Sequence, residues 1–401
     1  MFQATVNLYK NAYKGLPRSI WWLSAVMLVN RAGTMVIPFL TLYLTGKGFT
    51  LAQAGYALAA FGIGAIAGGY IGGRLTDRFG FQPVQLVSLF CNGLMFFVLG
   101  QMQTLSQIIT CIFFLSTLGE AFRPANAAAI AFHSNDNNRI RAFSLSRLAT
   151  NLGWAVGPAV GGLLAERSFQ WLFWVDGTTC VAAAIILFVT QKPVPKPAPS
   201  LHANEEVAGS AFKDRAFLKG MVCLLLVGVC FFQLFNVVAY FFEKELGLSK
   251  SSIGYLLGMN GLIIFCVEMV LVYKLDGRYD AFNYMVAGSL FIGVAFLTFN
   301  IAPILIVAIA GMLLITIGEM LLFPFINNFW VRRSRPQNRG QYASVYTMAF
   351  AASQVAAPGY GSAVAQYLGF PWLWIINFGL CSMAITGFIH LKNQIKRNER
   401  L

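Results

Sequence analysis

Residues 141–162, RAFSLSRLATNLGWAVGPAVGG, align with residues 341–362, QYASVYTMAFAASQVAAPGYGS, at an offset of 200 residues. In this register Pro158 falls opposite Pro358. An internal repeat at this distance predicts two similar halves, each made of the same helices in the same order and direction.

The composition is that of a membrane protein. Hydrophobic residues make up 57% of the chain and charged residues 11%, whereas soluble proteins carry about 25% charged residues. Apolar runs of about 20 residues, enough to cross a hydrocarbon core as a helix, recur along the whole chain. We therefore predict an all-α membrane protein with twelve transmembrane helices in two pseudo-symmetric six-helix bundles. The predicted spans are residues 20–44, 51–73, 83–102, 106–132, 143–165, 170–190, 217–242, 251–273, 283–300, 302–330, 342–368 and 371–391.

A stretch rich in Pro and charge, which begins QKPVPKPAPS at residue 191, separates the two halves. Its composition predicts a flexible cytoplasmic linker. Two parallel repeats joined by a linker are typical of secondary transporters, in which the substrate site lies between the bundles near the midplane. The predicted organisation is a cytoplasmic N-terminal segment (1–19), an N-terminal six-helix bundle (20–190), the linker (191–216), a C-terminal six-helix bundle (217–391) and a cytoplasmic tail (392–401).

The net charge of +14 would also suit a nucleic-acid-binding protein. The placement of the charges along the chain distinguishes that function from a membrane topology signal. With the N-terminus inside, the basic residues of the loops and tails face the cytoplasm except for Lys47, Arg167, Lys244 and Lys250. This is the positive-inside distribution, and it predicts two cytoplasmic termini. We expect a monomer in a lipid bilayer, with no nucleic-acid partner. The short loops favour a bacterial cytoplasmic (inner) membrane.

Signatures of catalysis and metal binding are missing from the sequence. It contains neither a GxxxxGK[ST] phosphate loop nor an HExxH zinc motif. All seven Cys fall in predicted spans without a CxxC pair, and the three His are scattered. We therefore predict no enzyme activity, no metal site and no cofactor, and transport of a small-molecule substrate driven by an ion gradient, with protons as the expected ion.

Two motifs resemble those of a known family. Residues 72–80, GGRLTDRFG, resemble the Gly-x-x-x-Asp-Arg-x-Gly loop of the major facilitator superfamily. Residues 153–162, GWAVGPAVGG, resemble its antiporter-associated Gly-Pro motif. Residues 30–44, NRAGTMVIPFLTLYL, are most similar to multidrug-resistance-type, drug:proton antiporter-like members. The resemblance implies the major facilitator fold over the whole chain.

The resemblance implies a role for the first motif, and the spacing of small residues indicates one for the second. The loop holds the bundles together in the outward-facing state, which makes it a conformational gate formed by Gly73, Asp77, Arg78 and Gly80. In the second motif, small residues every four positions permit close helix packing in lipid, and a proline kinks the helix. This helix-packing motif consists of Gly153, Gly157, Pro158 and Gly161.

Charged residues inside the spans are the strongest functional candidates, because each is costly to keep in a membrane. Glu120 and Glu319 are repeat partners, and we predict that they couple transport to protons, since a carboxyl group in a low-dielectric cavity can exchange protons near neutral pH. Arg123 shares a helical face with Glu120, so the two could instead form a structural ion pair. Arg31 could bind an anionic group of the substrate or neutralise one of the carboxylates.

Polar and aromatic residues within the spans complete a predicted substrate cavity. Its candidate residues are Asn30, Arg31, Arg123, Asn151, Trp154, Gln233, Asn236, Asn260 and Asn327. Any one of the uncharged polar residues could instead hydrogen-bond a neighbouring helix.

Three functions fit these features. The favoured one is proton-coupled export of hydrophobic or amphiphilic compounds. The second is proton-coupled import or export of one defined metabolite, such as a peptide, a siderophore or an organic anion. The third is a non-transporting receptor or scaffold, which the short linker and tails disfavour.

Overall fold

The computed structural model describes residues 15–135, 138–191, 210–275, 277–334 and 338–398. Most of the predicted linker and N-terminal segment, and the end of the predicted tail, therefore lie outside the described residues. Within them all regular secondary structure is helical, and we group the long helices and their broken parts into twelve spans, numbered 1 to 12 in chain order. Eleven of these are long and apolar enough to cross a membrane. The predicted fold class is confirmed.

The first half contains spans 1 to 6, of which only span 1 is broken. Its two parts are separated by Gly33, Thr34 and Met35. The bounds are Arg18–Ala32 and Val36–Gly46 for span 1, Leu51–Phe79 for span 2, Phe81–Leu99 for span 3, Leu105–His133 for span 4, Arg139–Arg167 for span 5 and Gln170–Thr190 for span 6.

The second half contains spans 7 to 12, of which spans 7 and 8 are irregular. Span 7 is Arg215–Phe231, a 3-10 turn at Phe232–Phe235 and Val237–Lys244, and span 8 is Lys250–Ile263, a π-helical turn at Ile264–Glu268 and Met269–Leu275. The others are Ala281–Thr298 (span 9), Leu305–Arg333 (span 10), Arg339–Tyr367 (span 11) and Phe370–Asn398 (span 12). Span 12 thus continues past its predicted end at residue 391.

Local sequence signals fix where several helices begin and turn. Span 2 begins with a capping box. The Thr50 hydroxyl accepts from the backbone amide of Gln53, and the Gln53 side-chain oxygen accepts from the backbone amide of Thr50. Between spans 2 and 3 the chain reverses at Gly80, whose φ of +87° suits glycine.

The two halves are closely packed at one end of the molecule. We call the end where span 1 begins and span 12 ends the termini side, and the opposite end the far side. At the far side the Ala52 amide of span 2 donates to Gln366 of span 11 at 2.8 Å. The Ser251 amide of span 8 donates to Glu166 of span 5 at 3.1 Å.

Glycines at every seventh position on one face of span 2 show where the halves separate. A Cβ on Gly55 would lie 2.8 Å from the Pro358 carbonyl oxygen of span 11, and a Cβ on Gly62 would lie 3.0 Å from the Cα of Val355. One step further towards the termini side, Gly69 has nothing within 4 Å of that position. Spans 2 and 11 therefore diverge, and the space between the halves widens towards the termini side.

Candidate functional site

A cavity of about 260 Å³ lies between the two halves near their midpoint. Helices from both halves line it. Aromatic rings form much of its wall: Phe61, Trp154, Phe231, Phe232, Phe235 and Phe350. Trp154 of span 5 and Phe235 of span 7 join the halves, with ring centroids 5.3 Å apart. The cavity therefore offers a large apolar surface with a few polar groups.

Most of the residues that we predict for the site line this cavity. They are Arg31, Glu120, Arg123, Asn151, Trp154, Asn236, Asn260 and Glu319. Asn30 lies in a smaller chamber of about 50 Å³ within the first half, which shares Arg31 and Glu120 with the cavity. Both repeat-related glutamates thus reach the same space from opposite halves.

Two predicted cavity residues lie elsewhere. Gln233 is fully buried, and its side-chain amide donates to the Ala357 carbonyl of span 11 at 3.0 Å. Asn327 is exposed on span 10, where it accepts from the Trp330 indole at 2.6 Å. Both side chains hydrogen-bond to neighbouring groups, although the Gln233 Oε1 has no partner among the described residues, and neither side chain lines the cavity.

The cavity wall of the first half carries two cations and one carboxylate. Arg123 and Glu120 form an ion pair, with Nε and Oε2 2.8 Å apart. Arg31 lies close enough to interact electrostatically with both. Its Nε is buried and has no hydrogen-bond partner among the described residues. Since the ion pair balances its own charges, Arg31 leaves this wall with a net positive charge.

The wall of the second half carries Glu319. Its Oε2 accepts from the Asn260 side chain of span 8 at 3.2 Å. The same Asn260 nitrogen donates to the Thr316 hydroxyl at 3.0 Å, which holds the amide in place. Glu319 thus faces the cavity with a neutral donor as its hydrogen-bond partner.

Among the described residues, an ion pair crosses between the halves beside the cavity. Arg147 of span 5 pairs with Glu268 of span 8, and Arg147 is also close enough to interact electrostatically with Glu319. Glu268 is buried and ends the π-helical turn of span 8. Such turns are often found at functional sites. This pair cannot be identified from the sequence, because nothing in the sequence shows that spans 5 and 8 are neighbours.

A buried carboxylate that is not among the predicted site residues lies behind the cavity. Asp176 of span 6 is fully buried, and its oxygens accept from the backbone amides of Met35 and Val36 in span 1. The sequence feature that could have identified Asp176 is its position as the only charged residue in the run QWLFWVDGTTCVAAAIILFVT (170–190).

The motif predicted as a gating loop is largely helical: span 2 continues past its predicted end at residue 73 to Phe79, and of the four predicted gate residues only Gly80 lies beyond it, at the termini side. Asp77 and Arg78 are exposed there. The Arg78 guanidinium lies 5.2 Å from the centre of the Phe79 ring. Among the described residues, neither side chain has a hydrogen bond or ion pair to the second half. This agrees with the divergence of the halves on this side.

The predicted helix-packing motif lies against the break in span 1. A Cβ on Gly157 would lie 2.9 Å from the Thr34 carbonyl oxygen, and one on Gly161 would lie 3.0 Å from the Met35 Cβ. The glycines of span 5 therefore allow the broken segment to approach closely, and Pro158 lines the cavity itself.

Comparisons with known proteins agree with this architecture. The sequence profile described as Major Facilitator Superfamily matches residues 22–358. Multidrug resistance protein MdtH from Aeromonas salmonicida is 24% identical, with 95% of this chain and 96% of that protein covered. An uncharacterized MFS-type transporter, YqjV from Bacillus subtilis, is 23% identical over 80% of each chain. The crystal structure of a POT family transporter in complex with a thioalcohol conjugated peptide superposes with a TM-score of 0.80 at 15% identity, over 96% of this chain and 97% of that chain.

Proposed function

The chain belongs to the Major Facilitator Superfamily, and we propose that it exports hydrophobic or amphiphilic small molecules in exchange for protons. It is a multi-pass membrane transporter and not an enzyme. The coupling ion, the substrate class and the direction of transport are the parts that we propose.

The observation that carries the proposal is the setting of Glu319. This carboxylate faces a largely apolar cavity, and its hydrogen-bond partner is the neutral amide of Asn260. A carboxyl group in such surroundings gains and loses a proton at moderate energetic cost, as proton coupling requires. Glu120, by contrast, is paired with Arg123. We therefore assign the main coupling role to Glu319 and a secondary one to Glu120.

The packing of the halves supports alternating access. The far side is closed by glycine contacts such as Gly55 with Pro358, whereas the two halves diverge around Gly69. Rocking of one bundle against the other would break the contacts around Gly55 on the far side and bring the halves together around Gly69 on the termini side. In that motion the end of span 2 that carries Asp77 and Arg78 would meet the second half, which is the gating role that we propose for it.

The cavity wall supports an amphiphilic substrate. Six aromatic side chains supply apolar surface, while a small number of polar groups, Asn151 and Asn236 among them, would orient the substrate. Aromatic rings adapt to many apolar shapes, so we expect broad selectivity. MdtH, a relative of similar length, is named as a multidrug resistance protein.

We also propose the membrane and the orientation. The excess of Lys and Arg on the termini side favours cytoplasmic termini in a bacterial inner membrane. In this orientation the described conformation is open towards the cytoplasm, from which an exporter loads its substrate. We expect the transporter to work as a monomer.

Arg31 favours a second candidate function. Its unpaired, buried Nε would suit the anionic group of one defined metabolite, such as a peptide, a siderophore or an organic anion. A relative in fold was crystallised with a conjugated peptide, although at 15% identity this supports the fold alone.

Proton release from purified protein tests the coupling. Addition of ethidium to the detergent-solubilised wild type should release protons, detected with a pH-sensitive dye, and Glu319→Gln should abolish the release. Glu245→Gln, a change at an exposed glutamate outside the cavity, is the matched control and should behave as wild type. Proton release that persists in Glu319→Gln would contradict the assignment of Glu319.

Transport in proteoliposomes separates the two candidate functions. Export of ethidium driven by a pH gradient, lost in Glu319→Gln, supports the proposal. Uptake of a single metabolite, lost in Arg31→Gln, with no ethidium transport, would support the second function instead.

A further inference from the structure

Asp176 has no contact with the cavity, yet its carboxylate is fully shielded from solvent. A carboxylate is costly to bury unless hydrogen bonds stabilise its charge. Here Oδ1 accepts from the Met35 amide at 3.0 Å, and Oδ2 accepts from the Met35 and Val36 amides at 3.1 and 2.9 Å. Both oxygens thus accept hydrogen bonds from backbone amides of span 1.

These amides belong to the start of the second part of span 1. The first amides of a helix have no partner within it, and the helix dipole favours a negative charge at this end. Residue 35, just before the helix, offers no side-chain cap. The cap therefore comes from span 6, and the break in span 1 depends on a residue 140 positions away in the sequence.

The break is held on two sides. On the side of span 6, a Cβ on Gly33 would overlap the Thr179 hydroxyl. On the side of span 5, Gly157 and Gly161 leave room for Thr34 and Met35. Since the helical hydrogen bonds are interrupted between Ala32 and Val36, these contacts fix the direction of one part of span 1 relative to the other.

The break also sits at the cavity. Arg31 is in the last turn before it, Thr34 is within it, and Ile37 follows it, and all three line the cavity. We propose that Asp176 is a positioning residue, whose carboxylate fixes the break in span 1 and thereby holds Arg31 at the cavity wall. This inference rests on the proposed transport function, because Arg31 has a role only if the cavity binds a substrate.

The second half provides an internal control. The segments QWLFWVDGTTC (170–180) and PWLWIINFGLC (371–381) align so that Asp176 falls opposite Asn377. Asn377 is also fully buried, but its Oδ1 accepts from the Tyr360 hydroxyl at 3.1 Å. In the irregular part of span 7, the hydrogen bond comes from a residue of the same span: the Asn236 side chain donates to the Phe232 carbonyl at 2.8 Å. Asn377 therefore has the burial of Asp176 without its role at a helix break.

A labelling experiment tests the position of the break without any transport measurement. Cys91 and Cys266, the cysteines that are not buried, are replaced by Ser, and Thr34→Cys is introduced. The rate at which a water-soluble maleimide labels position 34 is measured in purified protein. We expect Asp176→Ala to raise this rate about fivefold, as the loss of a helix cap shifts a local opening equilibrium by about that factor. The nearly isosteric Asp176→Asn should raise it less, and Asn377→Ala should leave it unchanged.

A double-mutant cycle tests the link to Arg31. Ethidium export is measured for Asp176→Asn, Arg31→Gln and the double variant. If Asp176 acts through Arg31, Asp176→Asn slows export in the wild-type background and has no further effect in the Arg31→Gln background. Asn377→Ala should have the same effect in both backgrounds.

Several results would overturn the inference. One is an unchanged labelling rate at position 34 in both Asp176 variants. Another is full multiplication of the Asp176→Asn and Arg31→Gln effects, which would leave Asp176 a purely structural residue. If the wild type exports no ethidium, the proposed export function is contradicted, and the labelling experiment alone decides the role of Asp176.

Discussion

Arg147 of span 5 and Glu268 of span 8 form an ion pair that joins the two halves of the transporter beside the cavity. Glu268 is buried, whereas the Arg147 side chain remains 56% exposed. Arg147 also interacts electrostatically with Glu319. One arginine thus faces two carboxylates of the other half and can fully neutralise only one of them. Protonation of Glu319 would leave Arg147 to pair with Glu268 alone.

This arrangement predicts that the loss of one charge of the pair destabilises the protein only while the other charge is present. Arg147→Gln leaves Glu268 buried without its cation and should destabilise the protein by about 1–3 kcal/mol, less than for a fully buried pair because Arg147 is partly exposed. The double variant Arg147→Gln with Glu268→Gln removes both charges and should recover most of this loss. Thermal unfolding of the purified variants measures both effects. A double variant no more stable than Arg147→Gln would contradict the pairing.

The sequence was sufficient to predict the fold and part of the site. The repeat brings Glu120 and Glu319 to equivalent places in the two halves, and both line the cavity. Helical periodicity also predicts that Glu120 and Arg123 share a face, and they are paired. These agreements in position concern residues close in sequence or related by the repeat.

Contacts between distant spans could not be predicted, because apolar helices carry little information about their neighbours. Asp176 lies in a regular apolar run, and its role depends on a helix break in span 1. Gln233 has the same polar character as the cavity residues, but a carbonyl of span 11 lies within its reach. Hydrophobic pattern distinguishes inside from outside the membrane, and it does not distinguish a cavity from a helix interface.

A second prediction concerns the termini side of the second half. Asp214 caps span 7, and its carboxylate accepts from Arg333 at 2.9 and 3.0 Å and from the Tyr342 hydroxyl at 2.9 Å. Burial pushes the pKa of Asp214 upwards, but the hydrogen bonds from Arg333, the Phe217 amide and Tyr342 outweigh it, so this pKa is lowered.

A lowered pKa in the folded state stabilises the protein at any pH above the unfolded pKa of about 3.9, and this contribution is lost as the pH falls through the folded value. The melting temperature of Asp214→Asn should therefore be below that of the wild type at neutral pH, and the difference should shrink only in strongly acidic buffer. Asp280→Asn, at another helix cap of the same side where the nearest cation is the Lys396 ammonium at 3.9 Å, is the control for a cap without the arginine hydrogen bonds. A difference that stays constant from neutral to strongly acidic pH would contradict the assignment.

A third prediction tests the close approach of spans 1 and 6. Gly33→Ala should strongly reduce the yield of folded protein, because the added methyl group would overlap the Thr179 side chain. Thr179→Gly removes the obstructing atoms, so the double variant should fold better than Gly33→Ala alone. Monodispersity after size-exclusion chromatography measures the outcome. Equal behaviour of the single and double Gly33 variants would show that another contact limits the substitution.

The final prediction follows from the glycines of span 2. Gly69 faces open space in the described conformation, but it continues the face on which Gly55 and Gly62 touch span 11. If the bundles rock, Gly69 must meet span 11 when the termini side closes. Gly69→Leu should therefore leave folding and thermal stability intact, while it blocks closure and lowers the rate of transport at least about tenfold, the cost of a modest steric barrier to the closed state.

The matched control is Gly379→Leu in span 12, where the glycine is exposed and also has nothing within 4 Å. It adds the same side chain to a helix surface that takes no part in the closure, so its transport rate should match the wild type. Equal transport by both variants would mean that spans 2 and 11 do not approach at this level. Loss of stability in Gly69→Leu would mean instead that the space beside Gly69 is already filled in the conformation described. Slow transport by a stable Gly69→Leu variant, with normal transport by Gly379→Leu, would show that spans 2 and 11 approach each other at Gly69 when the termini side closes.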